Sequence, residues 1–202
     1  MSEIDVTFMY AVHDAFQRDL ERLAAMAEGG DASGAAVEAG WERFKAFLHV
    51  HHTAEDTHLW PVLRAKGASP AVLDRMEDEH AGLEALLDAV GGAVAAGSAE
   101  QLADAARLLA DELGDHCEHE EQDALPLVKE LLTVQEWKAF GAEQRHQVGS
   151  AAMFFPWLLD GADPGMRRKV FDAVPPPVRV LHRFVWSPRY RRAPRWHAPL
   201  SA

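Results

Sequence analysis

A chain of 202 residues suffices for one domain of ordinary size with an appendage. With 48% hydrophobic and 26% charged residues it can build a packed core, which excludes wholesale disorder. Its single cysteine, Cys117, excludes an intramolecular disulfide framework and any cysteine-rich zinc or iron–sulfur site. The net charge of -12 is unevenly spread: residues 166–202 hold nine of the 20 Lys and Arg but one of the 32 Asp and Glu. An acidic body repels phosphate and argues against nucleic acid as a partner, and the basic tail is expected to lie along that body.

Four long segments with helical periodicity follow one another. The first runs from Asp5, a candidate cap, to Glu28, with Val6, Met9, His13, Phe16, Leu20, Leu23 and Ala27 on one stripe. The second spans about Gly34 to Lys66, with Phe44, Leu48, His51, Glu55, His58 and Val62 on its stripe and Pro61 expected to kink its last turn. The third starts at Ser69-Pro70 and runs to Ala96 before Gly97, through Leu73, Met76, His80, Leu83 and Leu87. The fourth starts at Ser98, with Gln101 in capping-box register, and reaches about Val128 through Leu109, Leu113, His116, Glu120 and Leu127.

Segments this long with short connections predict an all-α, up-down-up-down four-helix bundle over residues 1–130. Residues 131–202 read as a helical, aromatic- and Arg-rich C-terminal extension. It is broken by Pro156, Gly161, Pro164 and Pro175-Pro176-Pro177, and it ends in the Trp/Arg-rich stretch Val178–His197. Its many Phe and Trp residues are expected to pack on the bundle. No apolar run follows Met1, so no secretion signal is expected. The apolar stretch Ser150–Leu159 is too short to span a bilayer, so the expectation is a cytoplasmic protein without a membrane partner.

The anomaly lies in the stripes, where apolar residues belong. Each segment places a histidine there: His13, His51, His80 and His116. Glu55 and Glu120 stand one turn beyond His51 and His116, on the same face. The second and fourth segments repeat one pattern, His-x3-Glu, an acidic residue (Asp56 or Glu121), and a proline (Pro61 or Pro126). Burying these groups costs several kcal/mol or more without compensation. A metal cation compensates best, and imidazole with carboxylate suits iron, manganese or zinc.

His13, His51-x3-Glu55, His80 and His116-x3-Glu120, with Glu79-His80, Leu59-Trp60-Pro61 and Ala124-Leu125-Pro126, resemble the hemerythrin-like (HHE cation-binding) family over roughly residues 5–130. The resemblance implies a non-heme site of two Fe ions, oxo- or hydroxo- and carboxylate-bridged. It assigns His13 and His51 to one ion and His80 and His116 to the other, with Glu55 and Glu120 as bridges. Oxygen-carrying hemerythrins have a second histidine four residues after the one on the third helix, where this chain has Glu84. Glu84 is therefore a candidate ligand whose carboxylate would favour the ferric state and disfavour simple O2 carriage.

Tyr10, three residues before His13, is a candidate ligand or hydrogen-bond donor at the site. His58 and His119, one turn from ligands, are candidates to support them. His49 and His52 fall off the stripe and are expected in solvent, and Cys117 is expected to be an inert buried thiol. The resulting expectation is a protein that binds a small diatomic or peroxide ligand (O2, NO or H2O2) and disposes of it through an unnamed redox partner. Alternatives are an iron or oxygen sensor or adaptor, a reversible O2 binder, or a bundle holding manganese or zinc.

Overall fold

A computed structural model describes residues 4–196, and among them every regular element is helical. Helix α1 (Thr7–Glu28) begins where the Asp5 carboxylate accepts a hydrogen bond from the Thr7 N–H at 2.9 Å. Gly34, at φ 100°, precedes α2 (Ala35–Ala54), which continues through a wide turn into α3 (Trp60–Ala65). Ser69-Pro70 opens α4 (Pro70–Ala96), and Gly97 closes it in the left-handed conformation. The Ser98 hydroxyl accepts from the Gln101 N–H at the start of α5 (Ala99–His119), which runs through a second wide turn into α6 (Leu125–Leu131).

The extension comprises α7 (Val134–Val148), α8 (Ala151–Leu159), α9 (Pro164–Ala173), α10 (Pro176–Leu181) and α11 (Ser187–Arg192). Its first helix carries a complete capping box: Thr133 Oγ1 accepts from the Glu136 N–H, and the Glu136 carboxylate accepts from the Thr133 N–H. His197, the last residue of the expected Trp/Arg-rich stretch, lies outside the described residues.

Pro61 acts through something other than a simple kink. In the wide π turn Glu55–Leu59 the Trp60 N–H reaches back five residues to the Glu55 carbonyl. Leu125 does the same to Glu120 before Pro126, and Ser187 to His182 before Pro188. A proline ring in a regular helix clashes with the carbonyl four residues back, and one extra residue in the turn moves that carbonyl aside. All three wide turns stand directly before an X-Pro pair.

Two apolar clusters fill the interior. One gathers Phe16, Leu48, Leu83 and Leu113 with their neighbours. The other gathers Met9, Leu59, Met76 and Ala124 with theirs. Along each long helical stretch the histidine sits between residues of one cluster and residues of the other, so the polar side chains form a layer between two apolar blocks.

Aromatic packing attaches the extension to the bundle. Trp157 of α8 lies against Phe16 at 5.2 Å and Phe47 at 4.7 Å between ring centroids. Its indole N–H donates to the buried Asp19 carboxylate at 2.7 Å. Trp196 occupies the notch left by Gly40 on α2 and donates to the Val37 carbonyl. Burying large aromatics of this kind stabilises by about 1.5–3 kcal/mol each. The expected charge pairing between tail and acidic body is absent among the described residues. From residue 166 on, only Arg195 forms an ion pair there, with Asp160 of the extension itself.

Candidate metal centre

The polar layer brings side chains from four helices to one place. His13 comes from α1 and His51 and His52 from the end of α2. Glu55 and Glu120 open the two wide turns, His80 lies in mid-α4, and His116 lies in the last turn of α5. His13, His51, His80 and His116 are at most 7% exposed, and both glutamates are fully buried.

The histidines meet in pairs. His13 Nε2 lies 3.2 Å from His51 Nε2, and His80 Nε2 lies 3.1 Å from His116 Nε2. Two nitrogens bound to one ion at right angles, each at ~2.1 Å, stand about 3 Å apart. Three groups of ligand atoms each converge within 4.8 Å: His13, His51 and Glu120; His52, His80 and His116; and His51, His52 and Glu55. Glu55 also approaches the second pair, with Oε2 at 3.7 Å from His80 Nε2.

The carboxylates have no other use in the fold. All four oxygens of Glu55 and Glu120 are buried without a hydrogen-bond partner. His13 Nε2 is 3.0 Å from Glu120, and His51 Nδ1 is 3.3 Å from Glu55, but neither contact has hydrogen-bond alignment. Orphaned buried acceptors of this kind are rare and costly. Two buried carboxylates among imidazoles form a donor set that suits a divalent or trivalent transition metal.

The protonation pattern agrees. Burial, followed by the neighbouring charge of Glu120, pushes the Glu55 carboxyl well above its ordinary range. Burial also opposes ionisation of Glu120, but the adjacent His13 outweighs it and pulls this carboxyl down to about 2. For His13 burial works against the proton, yet Glu120 and Glu121 hold it up to about 9. Burial keeps His51, His52 and His116 below the ordinary histidine range, so three imidazoles offer free lone pairs. Metal ligands must be unprotonated, so a cation here would release the protons of His13 and Glu55.

Outside the cluster, carboxylates hold the far side of three rings. Glu121 lies 2.8 Å from His13 Nδ1, Asp56 lies 2.8 Å from His80 Nδ1, and Glu79 lies 2.9 Å from His116 Nδ1. With a proton on each Nδ1, Nε2 presents its lone pair to the centre. This accounts for the acidic residue that follows each buried glutamate in the repeated pattern. Each buried glutamate faces the centre from its own helix, and its successor fixes a histidine on another.

The hemerythrin HHE cation-binding domain model matches residues 5–128, more than half of the chain. The chain belongs to the hemerythrin HHE family. No curated protein and no solved structure matches the chain. Its hemerythrin domain gathers the His and Glu residues into clusters that could hold metal, and no helix among the described residues is long and apolar enough to cross a membrane.

Several expected positions of the hemerythrin domain need correction. Glu84 is exposed on α4 and belongs to none of the clusters, because the buried stripe runs through Met76, His80 and Leu83. Glu84 therefore adds no carboxylate to the centre. His52 takes the reverse course. Its ring stacks on His80 at 3.9 Å between centroids with 12° between planes and meets His116 edge-on, and its Nε2 is buried without a partner. The missed signal was adjacency: a residue next to His51 at the end of α2, shortly before the wide turn, still reaches the interior.

Tyr10 is half-buried and outside the clusters. With Glu121 it lines an open cavity of about 600 Å³. His119 joins the network through Glu79, at 2.7 Å. His58 is exposed and 4.0 Å from Glu143, away from the centre, and His49 is exposed as expected. Cys117 is buried, and burial followed by the charge of Glu120 pushes its thiol well up, consistent with an inert role.

Proposed function

We propose that the hemerythrin domain is an up-down-up-down bundle holding two iron ions, and that it consumes a small oxidant: O2, NO or peroxide. The alternation of the apolar clusters supports the topology. About one turn before the histidine, Met9 of α1 and Met76 of α4 belong to the second cluster, and Leu48 of α2 and Leu113 of α5 to the first. One observation carries the metal reading: two histidine pairs with Nε2 atoms 3.1 and 3.2 Å apart, next to two buried carboxylates with no other partner.

Iron bound there supplies an open position and a change of redox state for the small reactant. The chain's own residues do the rest. His13, His51 and Glu120 would hold one ion and His52, His80 and His116 the other, with Glu55 within reach of both groups. Because these groups are buried, only a reactant of a few atoms reaches them without the bundle opening. The carboxylates on the outer nitrogens of His13, His80 and His116 make the imidazoles more basic. An electron-rich ligand set favours the oxidised metal, and so turnover over reversible O2 carriage. Glu121, which touches His13 Nδ1 and lines the cavity beside Tyr10, is placed to hold a proton at its carboxylate.

The test is metal analysis of the purified protein followed by addition of peroxide or NO to the reduced form. Two irons per chain and consumption of many equivalents are expected. Absence of iron, or uptake of one equivalent of O2 that leaves on evacuation, would sink this reading. A second reading, a metal-dependent sensor or adaptor, is favoured by Phe16, which lies 5.6 Å from His51 and 5.2 Å from Trp157 of the extension. In that case removing iron exposes the extension to protease. Equal protection with and without iron would count against it.

A further inference from the structure

The extension carries a cavity of about 720 Å³ that has no part in the metal centre. Its walls include Arg167 of α9, Arg179 of α10, Arg183 of the third wide turn and Arg191 of α11. None of the four forms an ion pair with a carboxylate among the described residues. Arg167 is anchored by a hydrogen bond to the Leu159 carbonyl at 2.9 Å, and Arg179 by one to the Val174 carbonyl at 3.3 Å. Those bonds fix the side chains and leave their positive charge uncompensated. The one acidic group in the wall, Asp160, already pairs with Arg22 and Arg195.

At the same wall lies a buried polar pair. His182 is 6% exposed, packed edge-on to Phe155 and Phe171, with its Nε2 3.1 Å from the hydroxyl of buried Ser187. His182 opens the third wide turn, as Glu55 and Glu120 open the first two. Such turns are frequent at functional positions. Burial, then Arg167 and Arg191, press the proton off His182, as a strongly positive cavity should.

We infer that this cavity binds a phosphate group, held between Arg167, Arg179, Arg183 and Arg191, with Ser187 as a hydroxyl donor. Four unpaired guanidiniums exceed what a monocarboxylate neutralises and suit a dianionic oxyanion, whose oxygens accept the paired N–H donors that arginine presents. The phosphate can be free or the headgroup of a lipid. Val180, Leu181, Phe184 and Val185, beside the arginines, are 42–67% exposed, a composition that also suits an anionic bilayer surface.

The test titrates the metal-loaded full chain with inorganic phosphate by calorimetry at constant ionic strength. In parallel, the chain is sedimented with phosphatidylcholine vesicles with and without one-fifth phosphatidic acid. Arg183→Gln with Arg191→Gln removes two exposed guanidiniums of the cavity, and Arg168→Gln with Arg192→Gln removes the same charge outside it. Binding to phosphate or to the acidic vesicles is expected, weakened at least about tenfold by the first pair and little changed by the second. Loss of phosphate binding in the first pair identifies a free anion as ligand. Loss confined to the vesicles identifies the lipid headgroup. Binding of neither probe, binding unaffected by the first pair, or equal weakening by both pairs overturns the inference.

Discussion

The Asp56 carboxylate lies 2.8 Å from His80 Nδ1, although the two residues stand on different helical stretches. Glu121 has the same relation to His13. Each follows a buried glutamate directly in sequence, so one short segment supplies a group to the centre and a support for a ligand opposite. Asp56→Asn and Glu121→Gln are therefore expected to weaken metal binding by about 10–100-fold each, with the metal-free melting temperature changed little. Competition with a chromophoric chelator measures this. Unchanged affinity in both variants would show that the outer carboxylates do not tune the ligands.

His52 and Glu84 exchange the roles that their positions in sequence suggest. His52→Gln is expected to lower the metal content below two ions per chain or to shift its visible spectrum. Glu84→Gln should change neither, because its side chain faces solvent. Metal analysis of the two variants side by side decides the matter, and the reverse pattern would restore Glu84 as a ligand.

Removing the metal leaves Glu55 and Glu120 buried with no partner for their oxygens. Stripping with a chelator is expected to lower the melting temperature by ten degrees or more, given that each kcal/mol is worth roughly 2–4 °C in a chain of this size. Glu55→Gln, which takes a carboxylate ligand away from the metal-loaded form, should narrow the gap between metal-free and metal-loaded protein. Equal melting of stripped and loaded wild type would contradict the metal reading.

Asp19 gives a pH dependence away from the centre. Burial raises its carboxyl from 3.8 to about 6, against the Trp157 hydrogen bond and Arg22, which lower it. A carboxyl raised in the folded state binds its proton more tightly there, so folding gains stability as pH falls from about 6 to about 4. Asp19→Asn removes the titration. The wild type should gain stability relative to this variant, by up to a few kcal/mol, as pH drops through that window. Parallel melting curves at pH 4.5, 5.5 and 6.5 check the sign.

Gly40 is the seat of Trp196. A methyl group at residue 40 would occupy the space of the indole, so Gly40→Ala is expected to displace the end of the extension and to destabilise by about 1–3 kcal/mol. Limited proteolysis with trypsin should then cut at Arg195, where wild type resists. Proteolysis unchanged from wild type would mean that Trp196 contributes little to anchoring.

The helical class, the four long segments and the inward histidines were legible because burial follows the helical period, and an imidazole on an apolar stripe stands out. Three features were not. His52 is hidden in the sequence because a stripe of regular period leaves it outside, while ligands here gather at the end of α2 where the backbone changes pitch. Glu84 misled because family register pointed to it, whereas Leu83 takes the buried side. The tail's basic charge suggests pairing with the acidic body, yet Trp157 and Trp196 make the attachment, and among the described tail arginines only Arg195 meets a carboxylate.

Each wide turn is, in effect, a one-residue insertion that its proline requires. Deleting exposed Thr57 alone would restore a regular pitch and set the Pro61 ring against a carbonyl. Replacing Pro61 alone would leave a surplus residue with nothing to accommodate. Made together, the two changes cancel, and α2 would run on into α3 with both helices still in phase. The same pairing of wide turn and proline holds at Pro126 and Pro188.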